Sequence, residues 1–276
     1  MLTKVMFGRY INTNSWLHRL DPRSKLLGMF LFVLLIMMTN SLLACIAVFL
    51  FAIGIMASSR IPFGFFVKAV KPLRFLILFL FLFQLFFIKE GRFLLSIGPF
   101  SFYAEGVRLA CMTAWRMILL LAFTSLLTFT TKPLSLAKGV EGILQPFRFT
   151  GISPEKLGLM ISISLRFIPT IFEETQKIMK AQASRGADVA DLPWREKGKM
   201  LLSLLVPVTV SSFRRAEDLV YSMEARGYVL GAPRIPYEML KWKRQDSIFL
   251  GLLLAINILV GFILNDCGGL TYGSLF

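Results

Sequence analysis

The stretch Leu26–Ser59, LLGMFLFVLLIMMTNSLLACIAVFLFAIGIMASS, runs for 34 residues without a charge. One α-helix of that length would reach about 51 Å at 1.5 Å per residue. The hydrocarbon core of a bilayer is about 30 Å thick. The stretch therefore reads as two short membrane helices with a turn at Thr39-Asn40-Ser41. Lys25 and Arg60 stand at its two ends, where a long basic side chain can snorkel to water.

The same reading extends outward. A third span runs from about Val70 to Ile88 and a fourth from about Val107 to Thr131, with a turn at Ser96-Ile97-Gly98-Pro99-Phe100 between them. A fifth covers Ser247–Leu264. The composition agrees: of 276 residues 56% are hydrophobic, 27 are Phe and only 17% are charged, against about 25% charged in a soluble domain. This rules out a disordered chain and argues against an ordinary water-soluble enzyme. The expected fold is an all-α integral membrane protein with about five transmembrane helices. Residues 1–131 form a four-span domain, 132–246 a cytoplasmic and interfacial helical region, and 247–276 the last span and its tail.

Charge sets the orientation. Of the 31 Lys and Arg, 27 fall in residues 1–25, in the second-to-third connection or in 132–246. The positive-inside rule then places the N-terminus in the cytoplasm and the C-terminus outside the cell membrane. Residues 1–20 lack a signal peptide's apolar core, so the first span is expected to direct its own insertion. The net charge of +15 follows this topology; the 132–246 region holds 18 basic against 12 acidic residues. That pattern suits anionic lipid better than nucleic acid.

Residues 132–246 are too apolar for a solvated linker. Ser153-Pro154-Glu155 starts a helix, with an N-cap serine, proline in the first turn and an acid beside it. Leu157, Ile161, Leu165, Ile168, Phe172 and Ile178-Met179 trace one face, and Gly186 is the natural stop. A second helix is expected from about Gly198 to Gly227. Pro169 and Pro207 should kink or divide these helices. The two ends are alike: Ala183-Ser184-Arg185-Gly186 matches Glu224-Ala225-Arg226-Gly227 at an offset of 41, and Phe172 aligns with Phe213. An arginine at a glycine-stopped tip sits at the negative end of the helix dipole. Its guanidinium can cap its own helix or bond acidic and carbonyl groups of a partner. The residues alone leave both open.

Other chemistry is missing from the sequence. There is no GxxxxGK[ST] phosphate loop, no Cys or His pattern for a metal, and no acid within the five spans. Arg116 is the one ionisable group well inside a span, expected to face the bundle or snorkel. The adjacent acids Glu173-Glu174 read as a solvated helix face. Before the first span, Asp21-Pro22 reads as a turn and helix start. Arg23 and Lys25 read as headgroup anchors, and His18 as a polar interfacial residue.

Four motifs carry a resemblance that covers essentially the whole chain: Leu20-Asp-Pro-Arg-Ser-Lys-Leu26, Arg166-Phe-Ile-Pro169, Ala181-Gln-Ala-Ser-Arg-Gly186 and Glu224-Ala-Arg-Gly-Tyr228. In this order, on a five-span topology, the sequence resembles the transmembrane T component of energy-coupling factor (ECF) transporters. That family includes the cobalt-transport membrane subunit. The resemblance implies that the two Ala-Arg-Gly ends belong to crossing cytoplasmic coupling helices that dock into two ABC-type ATPases. Ala183, Ser184, Arg185 and Gly186 would contact one ATPase, and Ala225, Arg226 and Gly227 the other. Ser184 departs from the family's alanine but is also small. Asp21, Pro22, Arg23, Lys25, Arg166, Pro169 and Pro207 would be structural or interface positions. A small membrane substrate-binding S component would rest partly on the apolar faces of the coupling helices.

The resemblance further implies a non-catalytic subunit. ATP would be bound by the partner ATPases, this chain would need no cofactor of its own, and helix motion would reorient the S component to release a vitamin. The length and the two separated motifs resemble the shared vitamin form more than the dedicated cobalt or nickel form. A stand-alone permease would require polar groups inside the spans, and an integral-membrane enzyme would require clustered acids, histidines or a metal site.

Overall fold

The structure is a computed structural model and describes residues 10–11, 13, 15–39, 41–97, 100–146, 153–184, 193–229 and 240–271. Among these run the helices α1 (Pro22–Met38), α2 (Leu42–Ser58), α3 (Phe63–Val70), α4 (Arg74–Phe87), α5 (Ala104–Thr130), α6 (Pro133–Leu144), α7 (Pro154–Ser184), α8 (Trp194–Ala225) and α9 (Arg244–Thr271). They fall into two compact units, Met1–Ile152 with Leu240–Phe276, and Ser153–Met239. Helix α6 lies within residues 132–246 yet packs on α1 in the first unit.

The chain is an all-α membrane protein apart from one short antiparallel hairpin, β1 (Phe93–Ile97) with β2 (Phe100–Tyr103), where a simple turn was expected. Gly98 and Pro99 of that turn, and Asn40 of the first, lie outside the described residues. Among the described residues, three helical stretches are long and apolar enough to cross a membrane: Phe63–Phe87, Ala104–Thr130 and Arg244–Phe262. Helices α1 and α2 have 17 residues each, about 26 Å, short as the charge-free stretch required. The third span starts earlier than Val70 because α3 is continued by a 3-10 turn, Lys71–Leu73, around Pro72. The charges do not stop it: Lys68 and Arg74 lie over the rings of Phe65 and Phe75.

Helix α1 buries Ser24, Lys25, Gly28, Phe32, Leu35 and Ile36, a single stripe at helical spacing. Against α5 this stripe forms three rungs. Lys25 Nζ donates to the Thr130 carbonyl at 3.0 Å and to Thr131 Oγ1 at 3.1 Å. Phe32 stacks on Phe123 with ring centroids 3.8 Å apart. Arg116 Nη2 donates to the Thr39 carbonyl at 2.6 Å. Positions 25, 32 and 39 advance as 130, 123 and 116 fall back, so the pair is antiparallel. Each helix sends a cation onto the C-terminal carbonyls of the other, where the helix dipole is negative. Arg116 therefore faces the bundle, and Lys25, expected to snorkel, turns inward and is buried. Its ammonium finds stronger acceptors in the open end of α5.

Helix α9 runs parallel to α1. Ser24 meets Asp246, Gly28 meets Phe249 and Leu253, and Asn257 Nδ2 reaches the Leu31 carbonyl. A Cβ on Gly28 would stand 2.5 Å from the Phe249 ring, so glycine permits this approach. Small residues do this between helices in lipid, where apolar surface alone gives no drive to associate. Phe66 of α3 packs edge-on against Phe129 of α5. Phe30, Met37, Leu50, Phe75, Phe79, Phe83 and Phe87 point outward, as lipid-facing side chains do.

Replacing Arg116 by Met should expose the Thr39 carbonyl to an apolar setting and cost about 1.5–3 kcal/mol. Unfolding in lipid nanodiscs measures this; a variant as stable as the parent would refute the clamp.

Candidate functional site

The second unit consists of α7 and α8. The Ser153 carbonyl accepts the amides of Lys156 at 3.1 Å and Leu157 at 3.2 Å, which opens α7 at the expected start. Helix α8 begins at Trp194, before the expected Gly198, with Pro193 at its N-cap. Neither helix is divided: Pro169 and Pro207 lie inside continuous helices.

Leu159, Ile163, Phe167 and Ile171 of α7 face Leu219, Met223 and Tyr228 across a groove of about 440 Å³. Of the face expected from the sequence, Leu157, Ile161 and Ile168 are exposed, whereas Leu165, Phe172, Ile178 and Met179 are partly buried. Residues 157–172 are apolar on most sides, so spacing alone could not select the face that meets α8. Arg166 lies on the exposed side.

The end of α8 is closed by its own backbone. Gly227 adopts φ +72, its amide donates to the Glu224 carbonyl at 2.9 Å, and the Tyr228 amide donates to the Met223 carbonyl at 3.0 Å. These two bonds are a Schellman motif. Met223 and Tyr228, the positions that commonly make an apolar contact at such an end, both line the groove. The Met223 and Glu224 carbonyls need no side-chain cap, and Ala225, Arg226 and Gly227 are exposed. On α7, Ala183 and Ser184 are exposed, and Ser184 Oγ donates back to the Lys180 carbonyl at 3.1 Å. The hydroxyl is thus turned onto its own helix, leaving a tip almost as small as alanine's. Arg185 and Gly186 lie outside the described residues.

Glu174 does not belong to a solvated face. Its Oε1 accepts from Ser211 Oγ and its Oε2 pairs with Arg215 Nη2 at 2.7 Å, both on α8. The Ser211 hydroxyl, aided by Arg215, holds this carboxyl below the usual carboxylate range. Its stabilising effect is therefore present above that range and is lost as pH falls through the lowered value. Sequence reasoning missed this clip, although a Glu and an Arg at equivalent positions of the repeat were a usable signal.

The remaining expected residues lie in the first unit. Asp21 is the N-cap of α1 and accepts the Arg23 amide at 2.9 Å, with Pro22 following. Arg23 packs on α6 where Gly142 leaves room; a Cβ there would be 2.0 Å from its Nε. The organising group is Asp246, fully buried. Its Oδ1 accepts the Asp21 amide at 2.8 Å and lies 2.7 Å from Ser24 Oγ, while Oδ2 accepts the Lys243 amide at 2.8 Å. One carboxylate thus serves the N-termini of both α1 and α9, where it suits the positive dipole ends. An acid in the first turn of α9 was legible; its reach to α1 was not. His18 is satisfied locally, with Ser15 Oγ at 2.7 Å from Nδ1 and Nε2 donating to the Ile11 carbonyl at 2.9 Å, and burial lowers its pKa.

Two paired helices, α7 and α8, make up one unit of the chain, and the membrane helices make up the other. A family profile described as cobalt transport protein, CbiQ, matches residues 13–237. The chain belongs to this family. Among curated relatives, the "Energy-coupling factor transporter transmembrane protein EcfT" of Listeria innocua is 40% identical over 263 residues, 95% of this chain and 98% of the relative. The Bacillus subtilis protein of that name is 40% identical over 263 residues, 95% and 99% of the two chains. The one from Streptococcus thermophilus is 38% identical over 262 residues, 95% and 99%.

Substituting Gly227 by Ala should cost about 1 kcal/mol, because an L-residue resists the left-handed conformation. Hydrogen exchange in the last turn of α8 should then accelerate; unchanged protection would contradict the Schellman end.

Proposed function

We propose that this chain is the non-catalytic energy-coupling subunit of an ECF-type importer. In this reading it lies in the cell membrane and binds no ATP itself. Two ABC-type ATPases bind and hydrolyse ATP, one holding residues 183–186 and the other residues 225–227. Their closure moves α7 and α8, and this motion reorients a small membrane S component that carries a vitamin. The apolar groove between α7 and α8 would form part of the S component's seat. The similarity to ECF transmembrane proteins over nearly full length favours this form over a dedicated cobalt or nickel importer. The basic bias of residues 1–25 and 132–246 supports a cytoplasmic N-terminus, and the parallel course of α1 and α9 supports an external C-terminus.

The observation that carries the reading is the Arg226 tip. An exposed guanidinium follows a helix whose Met223 and Glu224 carbonyls the backbone already satisfies, so self-capping does not account for it. The same small-Arg-Gly sequence recurs 41 residues earlier. Two tips of one kind suit two similar partners.

The double variant Arg185→Glu with Arg226→Glu should insert normally into the membrane but lose the ATPases in a mild-detergent pull-down. Retention of both ATPases would sink the docking claim. Removing either helix proline, Pro169→Ala or Pro207→Ala, should change ATP hydrolysis by the assembled complex; an unchanged rate would exclude the prolines from the coupling motion.

A further inference from the structure

The Glu174 carboxylate uses both oxygens on donors one helical turn apart on α8, Ser211 and Arg215. Two bonds to i and i+4 of one helix fix a direction as well as a contact. Beside this clip the two helices face each other across an open apolar groove.

The position of the clip in the repeat is informative. The offset of 41 that superposes Arg185 on Arg226 also superposes Glu174 on Arg215. Equivalent residues of the two helices therefore bond to each other. Each stands 11 residues before its tip arginine in the sequence, and 10 residues before the last helical residue, Ser184 or Ala225, about 15 Å along a helix. The contact divides α7 and α8 at matched points, with arms of equal length beyond it.

We propose that Glu174, Ser211 and Arg215 form the pivot of the coupling helices, holding their crossing angle and keeping the two arms equal. They are positioning residues and touch neither ATP nor substrate. The proposal rests on the coupling reading for its consequence but not for its geometry, so the two can fail separately.

The geometry is tested on the full chain alone. Spin labels go on Lys180→Cys and Tyr221→Cys, equivalent exposed positions short of the tips, with Cys45, Cys111 and Cys267 replaced by Ser. Pulsed dipolar spectroscopy in nanodiscs should give one narrow distance distribution. Arg215→Gln and Glu174→Gln should each broaden it, and the swap Glu174→Arg with Arg215→Glu should restore it. The coupling is tested by co-expressing each variant with the ATPases and an S component and measuring ATP hydrolysis by the purified complex. Arg215→Gln should keep both ATPases bound yet lower hydrolysis about tenfold, and the swap should recover most of it. A distribution that stays narrow in both single variants would overturn the pivot, as would a swap no better than either single change. A pivot intact by distance, combined with ATPases that still bind the Arg185 and Arg226 reversals, would remove the coupling reading and leave the geometry standing.

Discussion

Lys25 and Arg116 leave opposite helices and end on each other's last carbonyls, with Phe32 and Phe123 stacked between them. This reciprocal bracing answers the main constraint on the chain. A helix end in lipid has no water to satisfy its open carbonyls, and each one left bare is expensive. The Ile11 amide takes the neighbouring Phe129 carbonyl at 3.0 Å, so the close of α5 is covered by residues that precede α1. At the other polarity, Asp246 gathers the starts of α1 and α9. Because α1, α5 and α9 end on one another in this way, none of the three can leave without exposing a group on another.

The second unit is built on a different principle. Its long helices share the Glu174 clip and an open apolar groove, and residues 183–184 and 225–227 at their ends are exposed. Backbone bonds finish α8 at Gly227, which leaves Arg226 available rather than committed to its own helix. A bundle braced at several helix ends resists deformation. In the second unit the crossing of α7 and α8 carries the Glu174 clip beside an open apolar groove. The contrast lies in where the polar groups go: onto helix ends in the first unit, and between two helix faces in the second.

The helical ends at Ser153-Pro154 and Gly227 were legible because capping is local chemistry, carried by residues within one turn of the boundary. The short α1 and α2 were legible because chain length and bilayer thickness leave few options. The functional grouping was less accessible. Lys25 was expected at the headgroups and is buried, because the acceptors that draw it inward stand at Thr130 and Thr131. Glu174 was expected in water and is clipped, because Ser211 and Arg215 lie on another helix. The face of α7 that meets α8 could not be chosen from a segment that is apolar nearly all round.

By itself the sequence determined a helical membrane chain with short first spans, a strong charge asymmetry and two alike small-Arg-Gly ends. These follow from hydropathy, chain geometry and capping, which act over a few residues. Only the tertiary structure decided that Arg116 braces α1, that Asp246 joins the first and last helices, and that Glu174 meets its own repeat partner Arg215. Each of those depends on which helices become neighbours and in which direction they run. An isolated charge in a sequence carries no record of the carbonyl or carboxylate that will stand opposite it, so its role is settled only when distant turns are brought within hydrogen-bonding distance.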